Sequence, residues 1–396
     1  MKNKVELLAP AGDLERLKIA LKYGADAVYV GGPLLNLRAN AINFTMDDLK
    51  QGISYAHELN KKVYVTVNII LHNQELDYVD NYLKELSAIN VDAIIISDPS
   101  IISIAKKYNI EIHISTQQST LNYEAVSFWK KQGVTRIVLA RECSREDIKQ
   151  IKDSVDIELE TFIHGAMCAG YSGRCVMSNV LTNRDANRGG CSQICRWDFN
   201  LFDCNMNEIK GDKPFTFCSK DLSMLKYIPE MIEMGISSFK IEGRMRSQYY
   251  IATVVSIYRK IIDNYYNNVV DFEYDSYEHV LRNCANRDSI TQFYDSNYDS
   301  SCSYYNGRVE VSNQDFLGIV LDYDFDKKLA TIEERNYFKK GDIVEAFGPN
   351  GLYTFQVNEI YDENGEIIDV VRHPRQIVKV KVDCQLYTDD MIRIKK

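Results

Sequence analysis

Four cysteines lie close together in the chain, in the order Cys168, Cys175, Cys191 and Cys195. Their spacing is C-x6-C-x15-C-x3-C, so the thiols can meet only if the chain folds back on itself. Two disulfides, a zinc ion or an iron–sulfur cluster could join them, because zinc and cubane clusters each take four thiolates. The C-x3-C half fits zinc, C-x6-C is wider than the usual zinc knuckle, and the whole is not a common ferredoxin pattern. The rest of the sequence must decide between these centres.

The composition bears on the redox compartment. The chain of 396 residues is 45% hydrophobic and 26% charged, as in soluble globular proteins. Its beginning does not have the pattern of a signal peptide, and no apolar run approaches the roughly 20 residues of a membrane helix. We therefore expect a cytoplasmic protein without membrane contact, in which ten cysteines are not a disulfide framework. The net charge of −9 argues against a protein coated in nucleic acid but does not exclude a local basic face.

The elements that must position these cysteines alternate between two patterns up to about residue 264. Short β-branched or apolar runs predict strands, and the longer runs between them have apolar residues at helical spacing. The predicted strands cover residues 5–11, 27–32, 62–69, 93–98, 111–117, 136–141, 157–165 and 238–243. Eight nearly continuous apolar strands, each followed by a helix, predict an α/β fold of the (β/α)8 TIM-like barrel type. A doubly wound open sheet is the alternative, but the first turn, APAGD, lacks its glycine fingerprint.

One connection is far longer than the others. About fifty residues separate the seventh strand from a helix that we expect near Asp221, where a βα loop usually has two to six. We define residues 165–220 as the insertion. It carries the four cysteines and begins at the carboxyl end of a strand, which is the catalytic face of such barrels. The placement indicates that the metal centre is functional.

The sequence after the barrel has a different pattern of apolar and polar residues. We predict a barrel domain over residues 1–266, a linker over 267–306 with one short helix near 277–285, and a C-terminal domain over 307–396. The last of these is rich in antiparallel patterns, such as the hairpin LGIVLDYDFDKKLATIEE and the turn at Asn364-Gly365. A small all-β barrel-like domain follows from these patterns.

Polar residues at the predicted strand ends should face one common cavity at the carboxyl end of the barrel. They are Asn68, Asp98, Gln117, Arg141, Glu142, His164, Glu242 and Arg244. His164, Arg141 and Glu242 are the candidates for catalysis, and His164 could equally orient the metal centre through a hydrogen bond. Asn68, Gln117 and the charged pairs could instead satisfy backbone groups or form salt bridges in loops.

Basic and aromatic residues accompany the cysteines. Arg174, Arg184, Arg188 and Arg196 lie in the insertion and could offset thiolate charge, bind an anion, or form a solvated face. Tyr171 and Trp197 flank the cysteines and could stack on a base or serve in packing. The basic residues of the C-terminal domain are nearly balanced by acids, so they are weak evidence for nucleic-acid contact.

The segments ELLAPAG, HGAMCAGYSGRC, NRGGCSQICRWD and SFKIEGRM together resemble the peptidase U32 family. Within it they are most similar to the branch of tRNA wobble-uridine hydroxylation proteins, over the whole chain. The resemblance implies a [4Fe–4S] protein that helps to convert uridine 34 of tRNA to 5-hydroxyuridine, without molecular oxygen and with prephenate. It implies Cys168, Cys175, Cys191 and Cys195 as ligands. In a related branch the fourth cysteine lies further downstream, about where this chain has Cys218.

Prephenate carries two carboxylates, and arginine is the usual bidentate partner of a carboxylate. Arg38, Arg141 and Arg244 are the arginines nearest to predicted strand ends, so we expect them to bind it. Asn68, Gln117 and Tyr171 complete the expected substrate site, and tRNA, prephenate and a paralogous family member are the expected partners. The family label of peptidase is a rival, although HELNK at His57 lacks the second histidine of a zinc protease and no G-x-S-x-G is present. A zinc-stabilised RNA-binding adaptor is the other rival.

Overall fold

The computed structural model describes residues 4–37, 43–269, 272–285, 287–295, 298–305 and 315–395. Parallel strands close into a barrel at its centre. The strands of this part, in chain order, are β1 (Glu6–Pro10), β2 (Ala27–Gly31), β3 (Lys62–Val67), β4 (Ala93–Ile96), β5 (Glu111–Ile114), β6 (Arg136–Val138), β7 (Glu158–Gly165), β8 (Leu201–Phe202), β9 (Glu208–Ile209), β10 (Asp221–Ser223), β11 (Ser238–Ile241) and β12 (Ser289–Ile290). β1 to β7 pair in sequence order, and β11 pairs in parallel with both β7 and β1. These pairings confirm the predicted eight-stranded barrel. The strands can form it because their sequences are apolar enough to be buried on both faces.

Helices surround the barrel. In chain order they are α1 (Leu14–Lys22), α2 (Met46–Glu58), α3 (Asn73–Ala88), α4 (Ile101–Lys107), α5 (Tyr123–Lys131), α6 (Arg145–Ser154), α7 (Met177–Thr182), α8 (Ile228–Glu233), α9 (Gln248–Tyr266) and α10 (Tyr274–Cys284). Several of them begin at capping residues that can be recognised in the sequence. The Asp13 side chain caps α1, and Thr45 and Ser144 form capping boxes at α2 and α6. No helix in the described ranges is both long and apolar enough to cross a bilayer.

The insertion leaves the barrel after β7 and returns as a strand. It holds the short helix α7 and the small β8–β9 hairpin. Directly after it comes β10, which pairs antiparallel with the end of β7 and parallel with β12. The helix expected near Asp221 is therefore misplaced. Asp221 lies in β10, and α8 begins at Ile228.

Charged side chains fill the lower half of the barrel. The Lys240 amine lies 2.7 Å from a carboxylate oxygen of Glu160, which is fully buried. Arg136 bridges Glu160 and Glu6, at 3.3 Å and 2.5 Å. The Tyr29 ring lies 4.4 Å from the Lys240 nitrogen on the side of the carboxyl strand ends. We call Glu6, Arg136, Glu160 and Lys240 the interior charge network; these paired charges share the barrel with a small buried apolar cluster that includes Leu8 and Ile95.

The C-terminal domain has its own apolar core. Its strands are β13 (Phe316–Asp324), β14 (Leu329–Glu334), β15 (Phe338–Lys339), β16 (Ile343–Gly348), β17 (Gly351–Gln356), β18 (Ile360–Tyr361), β19 (Ile367–Ile368), β20 (Val370–Val371), β21 (Ile377–Lys381) and β22 (Met391–Ile394). β13 and β14 form the predicted hairpin, and the described pairings in this domain are antiparallel. The domain meets the barrel through stacked rings of Tyr249 and Phe316, 4.7 Å apart.

Two of the expected inter-domain features have structural counterparts. α9 ends at Tyr266, the residue at which we placed the end of the barrel domain. The expected linker contains α10, which packs on α9, and β12, which extends the sheet beyond β10. Residues 306–314, where the linker would meet the C-terminal domain, lie outside the described ranges.

Candidate active site and metal centre

A cavity of about 230 Å³ lies at the carboxyl end of the barrel, beneath the insertion. Strand ends supply its floor and sides, including Phe162 of β7 and Tyr29 of β2. The insertion covers it with residues between Ala166 and Arg196. We call this space the mouth cavity. All four clustered cysteines line it: Cys168, Cys175, Cys191 and Cys195.

None of these four cysteines is in a disulfide bond, and they differ in burial. Cys168 and Cys191 are exposed, whereas Cys175 and Cys195 are partly covered. Burial, with a smaller contribution from the neighbouring Cys168, raises the pKa of the Cys195 thiol to about 11. Among the described residues, no three or more His, Cys, Asp or Glu side chains are arranged to hold a metal ion. The thiols thus share one cavity without converging on a single point.

Cys218, the other candidate for the fourth ligand, is placed differently. It is 1% exposed and does not line the mouth cavity. Its thiol lies 3.7 Å from the Ser219 carbonyl oxygen and 3.8 Å from a guanidinium nitrogen of Arg287. Cys195 is therefore the better placed of the two.

Close backbone contacts hold the insertion over the barrel. A Cβ on Gly173 would lie 2.6 Å from the Gln117 carbonyl oxygen, and its φ of +76° is one that glycine adopts readily. Ser119 donates a hydrogen bond to the Ser172 carbonyl at 3.1 Å. On the opposite side Arg188 forms an ion pair with Glu75 in the first turn of α3, at 2.5 Å. The hydrogen bond from Arg188 lowers the pKa of Glu75 to about 2.

Arg244 is fixed at the rim by neighbours from other strands. It is 8% exposed, and its guanidinium donates to Thr66 at 3.0 Å and contacts Asn36 at 3.5 Å. Two glycines make space for it. A Cβ on Gly12 would lie 2.3 Å from the Arg244 carbonyl oxygen, and one on Gly31 would lie 2.3 Å from its guanidinium. The ELLAPAG and KIEGR segments of the sequence thus meet at Arg244.

Arg141 follows β6 and Glu242 follows β11, so the two residues lie on either side of the end of β7. The Arg141 guanidinium carbon lies 3.9 Å from the centre of the Phe162 ring, and one of its nitrogens donates to the Ala166 carbonyl. Its Nε is buried without a hydrogen-bond partner. The Glu242 carboxylate accepts from the Ala166 amide at 3.4 Å. Both side chains line the mouth cavity, so a ligand there meets a cation and a carboxylate.

Gln117 lines the mouth cavity, but its amide is already engaged. Its oxygen accepts hydrogen bonds from Asn68 at 2.6 Å, Ser115 at 2.9 Å and Ser97 at 3.1 Å. Asn68 supports Gln117 from outside the cavity lining. Asp98 accepts from the Leu71 and Ser100 amides and also lies outside it. Asn68 and Asp98 are thus occupied in shaping loops.

His164 does not face the mouth cavity, so the geometry gives no support to the catalytic role expected for it. Simple alternation would aim it inward with Glu160 and Phe162, but the register of β7 against β11 shifts between Lys240 and Ile241. The bulge turns the imidazole outward, where Nδ1 lies 3.2 Å from the Tyr258 hydroxyl. Tyr258 donates to the Ile163 carbonyl, so Nδ1 must carry the proton that joins it to Tyr258. Burial, with a smaller contribution from the charge of Arg246, lowers the pKa of His164 to about 3.

The remaining expected residues are divided between the cavity and the surface. Tyr171 lines the mouth cavity and is 49% exposed, whereas Trp197 is 48% exposed and lies outside the lining. Arg38 lies outside the described residues. Sequence reasoning missed Phe162, which supports Arg141, and its only signal was its place two residues before His164 on the same strand.

Two family models cover nearly the whole chain. The model of Peptidase family U32 matches residues 12–302, and that of the Peptidase family U32 C-terminal domain matches residues 312–393. The chain belongs to peptidase family U32.

Relatives in this U32 family carry differing names. The chain is 49% identical to tRNA hydroxylation protein P1 of Bacillus subtilis, over 99% of this chain and 95% of that one. It is 38% identical to the 23S rRNA 5-hydroxycytidine C2501 synthase of Escherichia coli, over 66% of this chain and 40% of that one. It is also 30% identical to a protein named collagenase from Porphyromonas gingivalis, over 96% of this chain and 95% of that one.

Proposed function

We propose that this U32 protein is an RNA-modifying enzyme that hydroxylates a tRNA base. More narrowly, it converts uridine 34 to 5-hydroxyuridine without molecular oxygen, uses prephenate, and holds a [4Fe–4S] cluster. The relatives named for tRNA hydroxylation and for 5-hydroxycytidine synthesis support the first part. A cytoplasmic location and a paralogous partner belong to the same proposal.

The observation that carries the proposal is that four cysteines and three arginines, Arg141, Arg196 and Arg244, line one cavity at the catalytic end of the barrel. The donor set fits an iron–sulfur cluster better than zinc. Sulfurs around one zinc ion lie about 3.8 Å apart, because each Zn–S bond is about 2.3 Å long. Sulfurs around a cubane lie further apart, because each binds a different iron. Four thiols that line one cavity, without an arrangement for a single ion among the described residues, support our preference for the second arrangement.

Each part of the mouth cavity has a distinct task in this proposal. Cys168, Cys175, Cys191 and Cys195 would hold the cluster, which supplies one-electron redox chemistry when bound. Arg141 and Arg244 bind the carboxylates of prephenate, and the unpaired Nε of Arg141 is a donor available for it. Glu242 is the carboxylate on the cavity wall and is placed to hold a proton taken from the base.

The base itself needs a flat apolar support. A uridine inside a folded anticodon loop must leave its stack to enter a cavity, and enzymes pay for this with stacking contacts. Tyr171 is half exposed on the cavity wall and is the aromatic residue that we assign to this contact. Gln117 fixes this part of the cavity wall, because its side chain takes part in four hydrogen bonds and its backbone lies against Gly173.

A peptidase reading has less support from the geometry. Histidine is absent from the residues that line the mouth cavity in the described structure, and His164 faces α9. A Cys/His pair of the protease type would need both groups within hydrogen-bond reach.

The test of the cofactor is anaerobic purification followed by iron and sulfide analysis. The wild type should contain about four of each per chain, the stoichiometry of the proposed cluster. C168S, C175S, C191S and C195S should each lose most of the iron. C204S is the matched control, because Cys204 is an exposed cysteine of the same insertion outside the cavity. Loss of iron in C218S but not in C195S would assign the fourth ligand to Cys218.

The test of the activity is mass spectrometry of tRNA from a strain that lacks the gene. 5-Hydroxyuridine at position 34 should disappear and return on complementation with the wild type and with C204S. R141A and R244A should fail to restore it while keeping their iron. Full wobble hydroxylation in the deletion strain would contradict the proposed function.

A further inference from the structure

A second cavity of about 330 Å³ adjoins the mouth cavity. The two share Ala166, Cys191, Gln193, Arg196 and Glu242, so they open at the same rim. We call the second one the rim groove. Three arginines line it, from three different parts of the chain: Arg184 follows α7, Arg196 follows the last clustered cysteine, and Arg246 follows β11.

The charge of the rim groove is opposite to that of the whole protein. Its lining carries three arginines and one carboxylate, Glu242, on a chain whose net charge is −9. Asp221 lies behind the groove but does not neutralise its positive charge. Arg287 already binds that carboxylate at 2.7 Å, and Arg246 lies 3.5 Å from its other oxygen. A protein that repels polyanions at long range must bind them through local sites of this kind.

The arginines differ in how firmly they are held. Arg246 is held from behind by Asp221 and stacks over Tyr250 at 5.0 Å. Arg196 donates to the Gln193 side chain at 2.8 Å. Arg184 is exposed. The groove thus has two fixed guanidinium groups and a third that can adjust to a ligand.

We propose that the rim groove binds a backbone phosphate next to the nucleotide that enters the mouth cavity. The inference rests on the proposed function, since it assigns part of the same RNA to a neighbouring site. A base that leaves its stack to enter the cavity brings its flanking phosphates to the rim. Guanidinium groups suit this ligand, because each can donate two parallel hydrogen bonds to phosphate oxygens. The exposed Met245, also in the groove lining, offers an apolar contact beside the phosphate.

The experiment measures binding of an unmodified tRNA transcript to the iron-loaded full-length protein over a range of salt concentrations. R184A should weaken binding several-fold and reduce the slope of log K against log salt by about 1, the effect of losing one phosphate contact. R184K should keep the slope, and R184E should weaken binding more than R184A does. R282A is the control, because Arg282 is an exposed arginine on α10 that lines neither cavity. Equal iron content and melting temperature among the variants would exclude misfolding as the cause.

Three results would overturn the inference. The groove is not a phosphate site if R184A and R184E bind tRNA with wild-type affinity and slope while the wild type itself binds. It is instead a site for a small dicarboxylate if the variants lose affinity for prephenate alone. A wild type that binds no tRNA at any salt concentration would overturn the proposed function together with this inference.

Discussion

The outward-facing His164 makes a quantitative prediction about pH. Its imidazole is buried between β7 and α9, and burial lowers its pKa to about 3, with a smaller contribution from Arg246. In the unfolded chain the pKa returns to about 6.5. Between these two values the unfolded state binds more protons than the folded state, so the free energy of unfolding falls as the pH falls.

The size of the effect follows from the two pKa values. Each pH unit below 6.5 costs the folded state about 1.4 kcal/mol until the pH approaches 3. At pH 5.0 the loss attributable to His164 is therefore about 2 kcal/mol relative to pH 7.5, a substantial part of the roughly 5–15 kcal/mol of a typical domain. His164→Asn keeps a donor near the position of Nδ1 and cannot take up the proton.

The assay is urea unfolding at pH 7.5 and pH 5.0, followed by circular dichroism. H164N should lose about 2 kcal/mol less than the wild type between the two pH values, whatever its stability at pH 7.5. H373N is the control, because His373 is exposed in the C-terminal domain. If H164N and the wild type have the same pH dependence, His164 is not the buried neutral imidazole described above. The same burial predicts that activity shows no inflection near pH 6.5 from this residue.

Three further predictions concern the framework of the site. K240M should lower the free energy of unfolding by about 3–5 kcal/mol, because it leaves Glu160 with one cationic partner fewer inside the barrel; urea unfolding measures this, and K240M/E160L should recover part of the loss. G12A should cost about 1–3 kcal/mol and reduce hydroxylation, because its Cβ would displace the Arg244 carbonyl; a melting temperature equal to that of the wild type would contradict this. R188A should speed proteolytic cleavage in the insertion without changing the melting of the C-terminal domain, because it removes the ion pair to the first turn of α3; unchanged cleavage would mean that other contacts suffice.

The barrel could be predicted from the sequence because each strand carries a local signal. Runs such as KVYVTV and AIII are too apolar for an exposed face, and amphipathic segments with capped starts separate them. The insertion gave a weaker signal. The short strand β10 that follows the insertion was mistaken for the start of a helix, since three residues that pair with β7 and β12 have no periodicity of their own.

The candidate site could be predicted as far as strand ends determine it. Arg141, Glu242 and Arg244 follow strands, and they line the cavity because the carboxyl ends of a parallel barrel face one opening. The orientation of His164 could not be predicted, because a bulge changes which face a residue occupies and the pairing register cannot be read from one strand. Arg184 and Arg196 were named from the sequence as residues that could bind an anion, but the groove that they form with Arg246 was not predicted. Arg184 and Arg246 are about sixty residues apart in sequence and meet only through the fold of the insertion.

The interior charge network limits the routes by which a ligand can reach the mouth cavity. The side chains of Glu160, Lys240, Tyr29 and Tyr64 are buried inside the barrel, so in the described part of the chain they fill the space on the inner side of the mouth cavity. In the proposed reaction, the tRNA and the small reactant therefore both reach the mouth cavity from the end covered by the insertion. This arrangement favours an ordered cycle, in which the small reactant binds before the tRNA covers the cavity and is released after the tRNA has departed.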